Sequence, residues 1–490
     1  MPDTPDPRAP IARAEAAVLA APRRAKAWLD LAWAHWSASG PKAALGACES
    51  GLRAAPGDLD LLCAKAEMLR RLGRAGEARA LFGQALAAAP ELPDAAFGLA
   101  LMALEAGDWD RAQRLAGDLR AGAPAHAGLR WLHARIALGR GDPSAALPEL
   151  AAVLADPALD PAQRAEALLL QSDAFDKLDD PSSAFAAAVS GKALQRGLHA
   201  GAAQAREGAA QRFRRLDAWF RAADPAPWRT PPPAGRDPCA GHVFLVGFPR
   251  SGTTLLEQAL AGHPQVVALE EAPTLAAAHA EFLASDAGLW RLANLTDAEA
   301  DHWRGVYWSE VTARGVDPRG RLFLDKAPAG TEDVPLMARL FPHAKLLFAL
   351  RDPRDVVLSC VRHNFQMNAL TYAFTDLAAA AQAYDAGFTL ADTYRDRLPL
   401  DLMEVRHEAL VEDFTGGLAQ ICGFLGVAFD PGMTDVAATA HGRVIRTPSA
   451  PQVRAGLSRR GIGRWRAYAQ ELAPILPVLT PWAARFGYEP

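Results

Sequence analysis

The sequence has few cysteines, no long apolar run and no large excess of charge of either sign. Its five cysteines are scattered, odd in number and form no C-x-x-C pair, which is typical of a reducing compartment. No stretch approaches the roughly 20 apolar residues of a membrane span. At the Ala-rich N-terminus, Arg13, Glu15, Arg23 and Arg24 interrupt the apolar core that a signal peptide needs. We therefore expect a cytoplasmic protein.

The charge balance also excludes several kinds of partner. A formal net charge of −4 over 490 residues gives no reason to expect binding to nucleic acid or to a membrane. No metal-ligand cluster, Rossmann fingerprint or Ser-His-Asp order is present, and we expect no bound metal. A chain of this length can form two or three domains, each with its own core.

The first half repeats itself with a period of 34 residues. Proline stands at positions 22, 56, 90 and 124, and 34 residues is the length of a tetratricopeptide unit, two antiparallel helices. Small residues recur in the same phase and would let neighbouring helices approach closely. They are Ala32, Ala66, Ala100 and Ala134 in the first helix of each unit, and Ala44, Ala78, Ala112 and Ala146 in the second.

This half resembles the tetratricopeptide repeat family over about 175 residues. We predict an α-solenoid within residues 1–223, with about five repeats from roughly 22 to 198 and a connecting helix. The fifth repeat, with Ala184 and Ala188, fits after a slip of about four residues. Accidental proline spacing in an Ala-rich helical domain is the alternative. Such solenoids commonly hold a peptide or helix on a concave face, so we expect a protein partner there.

A Pro-rich linker is predicted at 224–241, and strands alternate with helices in the domain that follows, 242–490. Five short apolar runs predict strands, namely HVFLVGF, QVVAL, RLFLDK, AKLLFAL and DLMEVR. The alternation predicts an α/β fold with a parallel sheet covered on both faces. Ligands bind beyond the carboxyl ends of such strands, where this sequence has its polar residues.

The stretch HVFLVGFPRSGTTLLEQAL, beginning at His242, nearly matches a triphosphate-binding loop. Gly247, Gly252 and Thr254 have the right spacing, but Thr253 occupies the lysine position. An anion is still expected at the start of the following helix, and Arg250 supplies a cation. This combination suits a less charged anion than a triphosphate, such as a phosphate carrying one sulfuryl group. A second site is predicted where Arg351 ends a strand and Ser359 follows about two helical turns later, able to hold a separate phosphate.

These motifs resemble the sulfotransferases that use 3′-phosphoadenosine 5′-phosphosulfate (PAPS), over roughly residues 240–490. Bacterial tetratricopeptide-containing and protein-tyrosine sulfotransferases are the most similar members. The resemblance implies a P-loop-like site, with PAPS as donor and 3′-phosphoadenosine 5′-phosphate (PAP) as product. The segment Arg250, Ser251, Gly252, Thr253 and Thr254 would hold the 5′-phosphosulfate, and Arg351 with Ser359 the 3′-phosphate.

The same resemblance implies the catalytic residues. Glu271 in HPQVVALEEAPTL would be the base, with Glu270 left open as the alternative, and Lys326 in FLDKAP would stabilise the charge of the leaving group. Arg250 and Ser449 would assist, and Ser449 and Arg464 would contact the nucleotide. The alternatives are a solvated pair of acids, a surface lysine at a strand end and a solvated basic face.

Two departures from the family pattern leave the acceptor open. Pro273 replaces an arginine that the tyrosine-sulfating relatives carry, and His407 replaces a tyrosine and is assigned no chemistry. A protein or peptide tyrosine is the leading acceptor, with another phenol, a sugar or a lipid hydroxyl as alternatives. Two other functions remain open, an ATP-dependent kinase and a repeat-containing interaction protein whose nucleotide-binding domain has no sulfotransferase activity.

Overall fold

The computed structural model describes residues 9–38, 40–122, 127–229, 237–441, 443, 445, 447 and 449–489. The chain divides into two compact units, Met1–Pro157 and Ala158–Pro490. Within the described ranges, no helix combines the length and apolar character needed to cross a membrane. In the same ranges, no three His, Cys, Asp or Glu side chains are grouped so that they could hold a metal ion.

The first unit consists of helices that pack in consecutive pairs, which confirms the predicted helical repeats. After α1 (Ala9–Ala20), the pairs are α2 (Ala25–Ser37) with α3 (Pro41–Ala54), α4 (Leu59–Arg71) with α5 (Ala75–Ala88), α6 (Pro93–Ala106) with α7 (Trp109–Gly122), and α8 (Ala127–Gly139) with α9 (Pro143–Leu154). Of the four prolines in phase, Pro22, Pro56 and Pro90 lie in turns between helices, and Pro124 lies outside the described residues.

All eight alanines that define the period are completely buried, at 0% exposure. A methyl group at these positions lets two helices approach until their backbones nearly touch, and larger side chains fill the space beside it. Phe82 of α5 shows how close the approach is. A Cβ on Gly98 of α6 would lie 2.3 Å from the Phe82 ring, so this helix contact requires glycine.

A fifth pair, α10 (Pro161–Lys177) and α11 (Pro181–Gln204), belongs to the second unit. Ala184 and Ala188 are completely buried, as in the earlier pairs. Then follow α12 (Ala209–Ala222) and α13 (Ala226–Arg229). Of the predicted linker at 224–241, residues 230–236 lie outside the described residues.

The second unit contains a five-stranded sheet whose strand pairs are all parallel. The strands are β1 (Gly241–Gly247), β2 (Val266–Glu270), β3 (Leu322–Lys326), β4 (Lys345–Leu350) and β5 (Asp401–Arg406), in the order β2-β3-β1-β4-β5. In this register Glu270 of β2 lies beside Lys326 of β3. The carboxyl ends of the strands therefore meet at one edge, as the alternating pattern predicts.

Helices cover both faces of this sheet, which confirms the predicted α/β fold. Val243 and Leu245 of β1 belong to the apolar core on one face, and Phe244 and Val246 to the core on the other. The remaining helices are α14 (Thr253–Ala261), α15 (Ala276–Phe282), α16 (Asp286–Ala293), α17 (Asp297–Ala313), α18 (Val334–Leu340), α19 (Pro353–Arg362), α20 (Ala369–Ala373), α21 (Leu377–Arg397), α22 (His407–Glu412), α23 (Phe414–Leu425), α24 (Val436–His441), α25 (Ala450–Arg454), α26 (Ala469–Leu472) and α27 (Leu476–Arg485), with short 3₁₀ turns between some of them.

Candidate active site

The loop between β1 and α14 has the backbone shape of an anion-binding turn. Arg250 (φ 73°) and Gly252 (φ 91°) are both left-handed and flank Ser251. Alternating backbone handedness turns successive N–H groups toward one concavity, which together with the start of α14 favours a bound anion. Gly252 is required for a second reason, because a Cβ there would lie 2.5 Å from Nδ1 of His407.

Arg250 joins three segments that are far apart in the sequence. Its guanidinium donates hydrogen bonds to Ser359 Oγ (2.9 Å), to Ser449 Oγ and to Gln452 Oε1 (3.0 Å). It also lies 3.3 Å from Nε2 of His363. Ser359 and Ser449, which the sequence assigned to different parts of the nucleotide, are thus held by one side chain. Burial and the charge of Arg351 lower the pKa of Arg250 to about 10.

Arg351 leaves the end of β4 and turns toward the same loop. Its Nη1 donates to the carbonyl oxygen of Arg250 (2.9 Å) and its Nη2 to that of Gly461. Its Nε is buried and has no hydrogen-bond partner in the described part of the chain. Both guanidiniums therefore donate to uncharged oxygens.

Two histidines next to these cations are held in the neutral form. Burial, followed by the charges of Arg250 and Arg362, lowers the pKa of His363 well below its usual range. Burial, followed by the charges of Arg351 and Arg250, lowers the pKa of His407 to about 3. Neither ring adds a positive charge near neutral pH, so the two arginines carry the cationic character of this site.

Lys326, at the end of β3, is completely buried among three carboxylates. Its Nζ lies 3.0 Å from Glu257 Oε2, 3.0 Å from Glu271 Oε1 and 3.4 Å from Glu270 Oε1. Burial alone would lower the pKa of Lys326, but the carboxylates, Glu257 first, raise it above its usual value. The lysine is therefore permanently charged in this arrangement. Glu257 also lies 3.2 Å from Nη1 of Arg443.

The three carboxylates differ in their access to solvent. The side chain of Glu271 is 41% exposed, against 12% for Glu270 and 0% for Glu257. Glu271 is left-handed (φ 43°), an uncommon backbone conformation that costs energy in a residue other than glycine, and its N–H donates to the Lys326 carbonyl (2.9 Å). An acceptor that approaches from solvent would meet Glu271 before either of the other two.

The remaining predicted residues are arranged as follows. Thr253 and Thr254 are buried at the start of α14, with Thr254 Oγ1 3.2 Å from Thr447 Oγ1. The Ser251 hydroxyl is buried and, within the described ranges, has no partner. Arg464 bonds to Asp176 (3.0 Å) and Asp179 (2.9 Å) of the fifth helix pair, so its assignment to the nucleotide stays a prediction.

Three residues of this site were given no role from the sequence. His363 follows Ser359 by four residues in and beyond α19, a spacing that could have suggested that the two side chains meet. His407 was assigned no chemistry, although its ring faces Gly252. Glu257 gave no signal, because one acid on an amphipathic helix normally points to solvent.

Comparison with known proteins finds a family match within the second unit. Residues 242–431 match the model of the Sulfotransferase family. An uncharacterized protein of Aquifex aeolicus is 26% identical over 250 residues, which is 49% of this chain and 32% of that protein. Protein-tyrosine sulfotransferase 2 of Gallus gallus is 27% identical over 273 residues, which is 51% of this chain and 69% of that protein.

Among solved structures, the sulfotransferase domain of the olefin synthase of Synechococcus PCC 7002 is 25% identical to this chain. It aligns with a TM-score of 0.31, covering 49% of this chain and 98% of that domain. The chain thus spans about a third of its Aquifex relative and about two thirds of the Gallus enzyme.

Proposed function

We propose that this chain, which matches the Sulfotransferase family over residues 242–431, transfers a sulfuryl group from PAPS to an acceptor hydroxyl. The observation that carries the proposal is the pair of guanidiniums of Arg250 and Arg351, which have only uncharged hydrogen-bond partners in the described chain. A buried cation whose hydrogen-bond partners are all uncharged, such as Arg250, is costly and favours a bound anion. The residues present therefore fit a nucleotide that carries separate anionic groups.

The assignment of the two groups follows the fold. The turn at Arg250–Thr254 and the start of α14 would hold the 5′-phosphosulfate, since this backbone shape and a helix N-terminus favour a bound anion. Arg351 and Ser359 would hold the 3′-phosphate, with Arg250 between the two sites. A kinase would need the lysine that Thr253 replaces, and it would have no use for the second site. Arg464 and Ser449 remain candidates for further contacts with the nucleotide.

In the transfer, the acceptor oxygen forms a bond to sulfur while the bond from sulfur to the bridging phosphate oxygen breaks. The hydroxyl proton passes to a carboxylate, and the products are a sulfate ester and PAP. Glu271 is the proposed base because it is the most exposed carboxylate beside Lys326. Lys326, with Arg250 and Ser449, would stabilise the negative charge that develops on the leaving phosphate.

The proposed acceptor is a hydroxyl group. A tyrosine of a protein or peptide is the leading candidate, supported by the similarity to protein-tyrosine sulfotransferase 2 and by a repeat unit of the kind that commonly holds peptides. Pro273, where tyrosine-sulfating relatives carry an arginine, leaves other phenols, sugars and lipids open.

The donor can be tested without knowing the acceptor. Titration calorimetry of the full chain with PAP, without magnesium, should show micromolar binding that exceeds that of ADP and ATP. Arg351→Ala should weaken PAP binding by at least about tenfold, because it removes a charge-assisted contact to phosphate. Arg319→Ala, which removes an exposed arginine paired with Asp317, is the matched control and should bind PAP like the wild type.

Two results would contradict the proposal. Tighter binding of ATP that required magnesium would favour a kinase. A folded protein that bound none of the three nucleotides would favour an interaction protein in which the α/β domain has lost its ligand.

A further inference from the structure

Asp176, near the end of α10 in the fifth helix pair, holds three groups from the other side of the second unit. Its carboxylate lies 3.0 Å from Nη1 of Arg362 and 3.0 Å from Nε of Arg464, and it accepts a hydrogen bond from the Tyr468 hydroxyl. Its backbone oxygen also accepts from Arg464 (2.9 Å). In the described chain these groups are all donors, two of them charged, and they meet at the same carboxylate oxygen, which favours a negatively charged side chain.

The first of these donors ends the helix that carries Ser359. Arg362 is the last residue of α19 and also donates to the carbonyl oxygen of Ser172 in α10 (3.2 Å). The next residue, His363, contacts both Arg250 and Ser359. The position of Arg362 therefore sets where the end of α19 lies relative to the anion-binding arginines.

The second helix of the pair holds the same end of α19. Lys192 of α11 is buried and donates to the His363 carbonyl oxygen (2.6 Å). Gln195, one turn later, donates to Asn364 Oδ1 (2.7 Å). Residues 362–364 are thus held by α10 from one side and α11 from another.

The other two donors belong to a C-terminal segment that closes on the same site. The carbonyl oxygen of Gly461 accepts from Arg351, and the N–H groups of Gly463 and Trp465 donate to Asp355 (2.7 Å each). Asp176 fixes the end of this segment through Arg464 and Tyr468. The segment is therefore held at three points, one of which is on the helix pair.

We propose that the fifth helix pair is part of the nucleotide site and that Asp176 is a positioning residue, which acts through Arg362 and Arg464 to place Ser359, His363 and Arg351 for the 3′-phosphate. The proposal rests on the proposed function, since it concerns binding of the same nucleotide. It gives one predicted repeat a role in the enzyme itself, distinct from holding a partner.

The test compares PAP binding by the full chain and by Asp176→Asn, which keeps the size of the side chain but removes its charge and one acceptor. We expect at least about tenfold weaker binding of PAP, because Arg362 and Arg464 lose the negative charge that they share. Asp179→Asn is the matched control. The side chain of Asp179 is 83% exposed and forms an ion pair with Arg464, and asparagine tolerates its left-handed backbone, so binding should stay within about twofold.

A second variant covers the case in which Asp176→Asn does not fold. Tyr468→Phe removes one hydrogen bond to Asp176 and should weaken PAP binding by about two- to fivefold while the unfolding temperature without nucleotide changes little. A double variant with Arg464→Met should show a smaller effect of Asp176→Asn than the wild-type background does, because the two residues act together.

The outcomes separate this inference from the function on which it rests. If wild type and Arg351→Ala behave as expected but Asp176→Asn and Tyr468→Phe bind PAP as tightly as wild type, the positioning role is wrong and the function stands. If the wild type binds no PAP, the proposed function is wrong, and the positioning role of Asp176 is wrong with it.

Discussion

The helix pairs of the first unit and the fifth helix pair share one spacing of small residues but differ in what surrounds them. In the described part of the first unit, the buried side chains are all apolar. The fifth pair buries Ser172, Lys192 and Gln195, and each bonds to the neighbourhood of α19. The difference teaches that a repeat can keep its internal packing while its outer surface is adapted to a different neighbour.

The turns of the helix pairs show the same divergence. Gly73, Gly107 and Gly141 provide the left-handed residue between the two helices, with φ of 77°, 77° and 81°. In the fifth pair Asp179 takes this conformation (φ 58°) and uses its side chain to bond to Arg464. Glycine adopts this conformation with less strain than aspartate. The fifth pair therefore has a more strained turn residue, whose side chain forms a polar contact with Arg464.

The largest effect should come from enlarging equivalent alanines in the two regions. Ala146→Leu and Ala184→Leu each insert a branched side chain at a completely buried position, at a cost of about 3 kcal/mol, the upper end for overpacking. Ala184→Leu should in addition weaken PAP binding, because α11 bonds to residues 363 and 364. Calorimetric unfolding and titration would measure both effects. If Ala184→Leu is destabilised but binds PAP as tightly as the wild type, the fifth helix pair does not differ from the first unit in its effect on the nucleotide site.

A smaller, pH-dependent effect should separate the polar pair from the apolar ones. Burial lowers the pKa of Lys192 to about 8, so the folded state binds fewer protons than the unfolded state between about pH 8 and 10.5. The stability that Lys192 contributes is fully present above pH 10.5, the ordinary pKa that applies to the unfolded chain. This contribution is lost as the pH falls toward 8, the pKa of Lys192 in the folded state.

Denaturant unfolding at pH 7.5 and 9.5 would measure this effect. The wild type should gain about 1–2 kcal/mol relative to Lys192→Met between these values. The difference between the two proteins isolates Lys192, because all other titrating groups are common to both. If the stabilities of wild type and variant depend equally on pH, the amine of Lys192 has an ordinary pKa and is hydrated in solution.

The smallest effect should come from exchanging the turn residues. Gly141→Asp places a Cβ on a left-handed residue and should cost about 1 kcal/mol. Asp179→Gly removes that strain together with one exposed ion pair, so its net effect should stay within about 0.5 kcal/mol. Thermal unfolding of both variants would measure the asymmetry. Equal losses would show that Arg464 gives Asp179 more stabilisation than an exposed pair normally provides.

Much of the fold could be predicted because burial leaves a periodic pattern. The eight alanines recur every 34 residues, and the five apolar runs end within one residue of the observed strands. A boundary inside a helical stretch was harder to see. The stretch 408–426 is divided between α22 and α23 at Asp413, whose carboxylate accepts the N–H of Gly416 (2.9 Å). Any acid in such a stretch can equally face solvent.

The candidate site was predictable only where local motifs carry it. The turn around Gly252 and the strand ends at Lys326 and Arg351 follow from spacing and fold class. The contacts of Arg250 with Ser449, and of Arg464 with Asp176, join residues far apart in the chain and have no local pattern. Those roles depend on tertiary packing, which a single sequence does not display.

The hydrogen bonds of Arg250 also bear on how the candidate site forms. Its guanidinium closes loops of 109 residues to Ser359 and 199 residues to Ser449. Contacts between positions so distant are formed late in folding, because closing a long loop costs conformational entropy before the contact contributes stabilising free energy. A partly folded or nascent chain can therefore complete its apolar helix pairs before the contacts of Arg250 form, so the candidate site would be completed last.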